Sequence, residues 1–146
     1  MIPAILFVVA VLVFRGLGAL GVGMFETWLD CTRTALALTF LFTATAHFNR
    51  MKEDLIRMVP PSFPKPRALV FVTGLLEIAG AIGLLVPATR RLAAAGLALL
   101  LVVLFPANVS AARRGLTLRG KPVTPLSIRL PIQLLFLAAA VWIAIS

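Results

Sequence analysis

The sequence predicts an all-α fold, a polytopic bundle of transmembrane helices, and three observations carry that prediction. Hydrophobic residues make up 61% of the 146-residue chain and charged residues only 13%. With a mean hydropathy of +1.06, the chain lacks the polar surface that a soluble domain of this size needs. Its apolar residues gather in windows near the ~20 residues that a helix needs to cross a bilayer. Charges and prolines collect between those windows. Barrel strands are excluded because the windows are too long and too uniformly apolar.

Five helices are expected, in one domain spanning residues 1–146. The first covers residues 2–25 and is interrupted by Arg15; it lacks the basic leader of a cleaved signal peptide, so it is expected to span. The second, 34–48, is the weakest. The third, 68–86, carries Glu77 in the middle of "VTGLLEIAGAIGLL", and the fourth, 92–109, ends near Pro106 and Asn108. The fifth covers 128–145. Between the second and third, "RMKEDLIRM" sets Leu55, Ile56 and Met58 among charges at helical spacing, as in a short helix lying on a membrane surface. The prolines of "VPPSFPKP" then predict an extended, stiff connection.

The loops predict an orientation. Arg50, Lys52, Arg57, Lys65 and Arg67, then Arg113, Arg114, Arg119, Lys121 and Arg129, fall on one side, against Arg33, Arg90 and Arg91 on the other. Basic loops face the cytoplasm. The expected placement is that of a multi-pass membrane protein with the N-terminus inside and the C-terminus and the acidic "ETWLD" loop outside. The net charge of +9 then means affinity for anionic lipids of the inner leaflet. No nucleic-acid partner is expected, since no reading motif accompanies the charge.

Two apparent motifs have simple explanations. Gly16, Gly18 and Gly21 match the spacing of a dinucleotide fingerprint, but no strand, turn and soluble helix surrounds them. In a membrane helix these glycines, with Gly23, permit close approach of a neighbour, for which Gly74, Gly80 and Gly83 are candidates; a second copy of the chain also stays open as a partner. Cys31, the one cysteine, cannot form an internal disulfide.

The intramembrane polar residues are the candidate site. At 1.5 Å per residue Glu77 comes roughly 13 Å into the membrane and Arg15 roughly 20 Å, within reach of an ion pair if their helices touch. A carboxylate at that depth is protonated, paired with Arg15, or in contact with a ligand or water. His47, Thr73, Asn108 and Gln133 fall in the same inner layer, with Glu77 beneath them, so a polar pocket opening to the cytoplasm or inner leaflet is expected. Each has a plainer use: His47 as an interfacial residue, Asn108 and Gln133 as ties between helices, Arg15 and Glu77 as a structural pair.

Three stretches, "LALTFLFTATAHFNRMKEDLIRMVPP", "TGLLEIAGAIGLLVPATRRLAAAGLALLLVVLFPANVSAA" and "IRLPIQLL", resemble the DoxX-like family of small bacterial membrane proteins over about residues 33–145. The ordered A-H-F, G-L-L-E and F-P-A-N carry the resemblance. It implies a four-helix core, with the first helix an addition, and His47, Glu77 and Asn108 as the family's polar positions. It further implies similarity to the membrane subunit of thiosulfate:quinone oxidoreductase, and membership of redox or stress-response systems. One histidine and one cysteine supply no bis-His haem, dithiol cycle or iron–sulfur cluster, and no metal site is expected. A redox role therefore requires a bound quinone or a redox partner subunit. The expectation is a quinone- or lipid-binding accessory with no self-contained catalytic centre, against a noncatalytic scaffold for a partner protein or, lacking inverted repeats, a small transporter.

Overall fold

The computed structural model describes residues 1–146. Helix accounts for 77% of the chain, in two short 3₁₀ turns and six α-helices: α1 Ile2–Ala19, α2 Trp28–Ala44, α3 Lys52–Met58, α4 Pro66–Leu85, α5 Arg90–Arg113 and α6 Leu126–Ile145. Four of them, α1, α4, α5 and α6, are long and apolar enough to cross a membrane.

Local chemistry sets the ends of these helices, and in several places moves them from where hydropathy alone put them. Gly21, at φ +98°, closes α1 with Gly21 N–H on Gly18 O and Val22 N–H on Leu17 O. This is the glycine-terminated helix end that satisfies the last carbonyls, so the first helix stops at Ala19 and does not reach Phe25. The "ETWLD" segment is no free loop: Thr27 caps α2 by accepting from the Asp30 N–H at 3.1 Å. That cap starts α2 six residues before the first apolar run. At its other end α2 tightens into a 3₁₀ turn, Thr45–His47. Pro66 begins α4 at a position where its missing N–H costs nothing.

Pro106 does not end α5, which runs on to Arg113. The connection before α4 is likewise not extended, for Phe63 N–H turns back onto Pro60 O at 3.0 Å and Lys65 takes φ +51°. One element is absent from the sequence prediction altogether. Thr117–Leu118 and Lys121–Pro122 form an antiparallel two-residue hairpin whose turn residues, Arg119 and Gly120, have φ of +52° and +73°, the tight turn that matches strand twist.

Consecutive long helices run antiparallel. Thr43 meets Glu77 and His47 meets Thr73 between α2 and α4; Gly80 faces Leu97 and Gly83 faces Ala93 between α4 and α5; Asn108 meets Arg129 and Leu101 meets Gln133 between α5 and α6. Helix α1 packs on α2, with Phe14 stacked on Phe25 at 4.6 Å and Phe7 edge-on to Phe136 of α6 at 5.5 Å. The glycines of α1 and α4 do not meet as expected: Gly18 lies against the backbone of Phe25, and Gly74 faces His47.

Helix α2 is the axis of the bundle. Cys31, Ala35, Leu36, Ala37 and Ala44 are at most 1% exposed, whereas α1, α4, α5 and α6 turn residues such as Val9, Leu76, Val103 and Leu134 outward. The buried face of α2 carries small and polar residues, among them Ala35, Ala37 and Thr39, while Leu38, Leu41 and Phe42 face outward, which explains why the second helix is the weakest in sequence.

Candidate functional site

The site grows from two matched pairs. Thr43 and His47 lie four residues apart at the end of α2, and Thr73 and Glu77 lie four apart on α4, so each pair shares a helix face. The antiparallel packing of α2 on α4 turns the two faces together. His47 and Glu77 are 8% and 6% exposed, among few buried polar side chains in an otherwise apolar interior. Gly74 makes the fit: a Cβ there would come 2.6 Å from His47 Cβ and 2.8 Å from His47 Cγ.

The hydrogen bonds determine how many protons the pair holds. His47 Nδ1 lies 2.7 Å from Val70 O. A carbonyl only accepts, so Nδ1 carries a hydrogen and donates it. The Thr73 hydroxyl gives its own hydrogen to Leu69 O at 2.8 Å, and its oxygen stands 3.4 Å from Nδ1 as a weak second acceptor. On the other side of the ring, His47 Nε2 is 3.4 Å from Glu77 Oε1. A neutral ring with its hydrogen on Nδ1 and an ionised carboxylate would set two acceptors face to face. One proton must therefore lie between them, either on Nε2 as an imidazolium–carboxylate pair or on Oε1 as a carboxylic acid donating to the ring. Both forms have zero net charge, which suits an apolar interior. The Thr43 hydroxyl donates to the remaining oxygen, Glu77 Oε2, at 2.8 Å.

The other polar residues of the expected pocket form a second group. Arg129 Nη1 donates to Asn108 Oδ1 at 2.5 Å, and Gln133 Nε2 donates to Leu101 O at 2.6 Å. Pro106 and Pro131 lie in α5 and α6 beside them. No hydrogen bond joins this α5–α6 group to the α2–α4 group. The single four-helix pocket is thus two polar clusters, with His47, Thr73 and Glu77 in one and Asn108 and Gln133 in the other.

Arg15 belongs to neither. Its guanidinium stacks over Trp28, 5.4 Å from the ring centroid, near the Gly21 turn and far along the bundle from Glu77. The Arg15–Glu77 pair expected from depth does not form, because α1 packs against α2 and not against α4. Thr43 and the Val70 carbonyl were missed by sequence reasoning. Thr43 was detectable, since it repeats on α2 the four-residue spacing of Thr73 and Glu77 on α4.

Beyond His47 the chain turns outward into α3. A cleft of about 540 Å³ opens there, lined by Asn49, Arg50, Met51, Asp54 and Arg119. Asp54 accepts from Arg57 and from the backbone N–H of Arg119, and Arg114 Nη2 donates to the carbonyls of Arg57 and Val59. These bonds clamp α3 and the hairpin over the same end of the bundle. Met58, Ala111 and Val123 pack beneath them as a small separate core.

The fold and its buried polar pair define a class, the multi-pass helical membrane proteins. Within it the chain belongs to the family described as Domain of unknown function (DUF8561), whose match covers residues 36–144. That range takes in α4, α5, nearly all of α6 and the second half of α2 and leaves α1 outside. No curated protein and no solved structure matches the chain.

Proposed function

We propose that the protein crosses a bacterial cytoplasmic membrane five times, N-terminus inside and C-terminus outside, and binds a quinone or lipid head group as an accessory of a membrane redox or stress-response system. The observation that carries this reading is the buried His47–Glu77 pair, with His47 Nε2 3.4 Å from Glu77 Oε1 and Nδ1 held by Val70 O. Such a pair can pass its shared proton to a bound oxygen, leaving a neutral histidine beside a carboxylate, and regain a proton from the basic end. Electrons for any redox step come from a partner subunit. The resemblance of A-H-F, G-L-L-E and F-P-A-N to the DoxX-like proteins enters as analogy, and supports the redox setting.

Two features support the fifth crossing and the orientation. Helix α2 with its 3₁₀ turn runs from Trp28 to His47, roughly 30 Å at the usual rise, between antiparallel neighbours. The turn linking α1 to α2, the turn linking α4 to α5 and the C-terminus share one end, where Arg91 Nη2 donates to Ser146 O at 2.6 Å. The hairpin, α3 and most of the basic residues share the other, the cytoplasmic one by the charge rule.

A second reading, a noncatalytic scaffold for a partner protein, is favoured by the closure of the dyad, since Val70, Thr43 and Thr73 already partner its polar atoms. Glu77→Gln separates the two, because glutamine keeps the shape and can donate to His47 Nε2 while accepting from Thr43. Wild type and variant are purified in mild detergent and their co-purifying small molecules identified by mass spectrometry. A stoichiometric quinone or lipid lost in the folded variant supports the ligand site. Equal recovery from both, or none from either, turns the assignment to the scaffold.

A further inference from the structure

Arg129 sits three residues into α6, half-buried at the seam with α5. Its one partner is a neutral amide oxygen, Asn108 Oδ1, although a guanidinium offers five N–H donors. The Asn108 amide nitrogen has no hydrogen-bond partner of its own, so further donors face the same seam.

No carboxylate of this chain serves Arg129. The acids number five. Glu77 is held by His47 and Thr43, Glu53 by Arg67, Asp54 by Arg57 and the Arg119 N–H, and Asp30 by Arg33. Glu26 lies at the opposite end, beside Gly23. Arg15, inside α1, has the face of Trp28 to shield it. Arg129 has no such surface, and a partly desolvated guanidinium without an internal counter-ion draws a compensating anion from outside the chain.

The setting specifies which anion. The planar guanidinium matches tetrahedral oxyanions through paired N–H donors. Arg113 and Lys121, on the segments leading into and out of the seam, add positive potential. We propose that Arg129 and Asn108 form a binding site for a phosphoryl oxyanion, supplied by an anionic lipid head group or by free phosphate. The inference rests on the membrane placement of α5 and α6 and is independent of the His47–Glu77 pair.

The test is thermal unfolding of the detergent-purified full chain, titrated with phosphatidylglycerol in one arm and inorganic phosphate in the other. Wild type is expected to be stabilised by at least one of them, and Arg129→Gln to bind it about tenfold more weakly, the loss of one charged hydrogen-bond pair. Arg129→Lys keeps the charge without the fork and should fall between them. Should Arg129→Gln fail to fold, Asn108→Ala, which leaves the charge, should still weaken binding severalfold. Lys121→Gln, an exposed charge at the same end, should change it less than twofold. A shift with lipid alone assigns the head group, and a shift with phosphate alone assigns a soluble ligand. No shift in wild type, or equal losses in Arg129→Gln and Lys121→Gln, overturns the proposal. Glu77→Gln should retain the full shift whatever becomes of the quinone reading.

Discussion

At the scale of single residues, the buried pair makes opposite predictions for two substitutions of the same carboxylate. Glu77→Gln leaves every polar atom around it satisfied, so its unfolding temperature should stay within a few degrees of wild type. Glu77→Leu strands His47 Nε2 in an apolar interior, while the Thr43 hydroxyl falls back on Phe40 O of its own helix, and should cost about 1–3 kcal/mol. Thermal unfolding in detergent checks both, and equal destabilisation would show that the shared proton, rather than the hydrogen-bond geometry, holds the site together. Gly74 is the steric counterpart. Gly74→Ala pushes a methyl into His47, where 2.6 Å is available, and should destabilise by about 1–3 kcal/mol while loosening the dyad. Histidine ring resonances in an NMR spectrum would report that loosening directly. Glu77 and His47 were legible as candidates in the sequence because few polar residues occupy apolar helices. Their pairing was not: depth along a helix axis gives only a level in the membrane, and depth pointed to Arg15 as the companion of Glu77, whereas packing set α2 and His47 beside α4.

At the scale of elements, the ends of helices follow local chemistry that a hydropathy window averages away. Thr27 and Asp30 spell a capping signal that was readable but lay outside the apolar run, so the start of α2 was placed too late. Thr27→Ala should cost about 1 kcal/mol. Gly21→Ala, at φ +98°, should cost about as much through backbone strain alone. Unfolding of each variant against wild type measures the two effects, and a neutral Gly21→Ala would mean that the turn after α1 can rearrange. Pro106 shows the opposite error. Proline signals a helix end in water, but in a packed membrane helix the neighbouring helices can take up the backbone group that it frees.

At the scale of the molecule, the two ends of the bundle differ in charge and in construction. One end consists of tight turns and the C-terminus; the other carries α3, the hairpin and most of the basic residues. With Cys31, the one native cysteine, replaced by alanine, a new cysteine at exposed Ser62 and another at exposed Ser146 should be labelled from opposite sides of a sealed membrane. Labelling of both from the same side would mean that α4, α5 and α6 do not all cross. The dyad lies between these ends, covered by the clamp of α3 and the hairpin.

By itself the sequence determined that the chain is helical and membrane-embedded, where its apolar stretches lie, which loops share a charge sign, and which polar residues are costly enough to demand a partner. Those properties follow from composition and one-dimensional spacing, because a bilayer imposes the same length and hydrogen-bonding conditions on any chain that crosses it. Tertiary structure alone decided that Glu77 meets His47 and Thr43, that Arg15 stacks on Trp28, and that Asn108 and Gln133 belong to a separate seam with Arg129. These are questions of which helix faces which, answered by side-chain volume and close approach at residues such as Gly74 and Gly80.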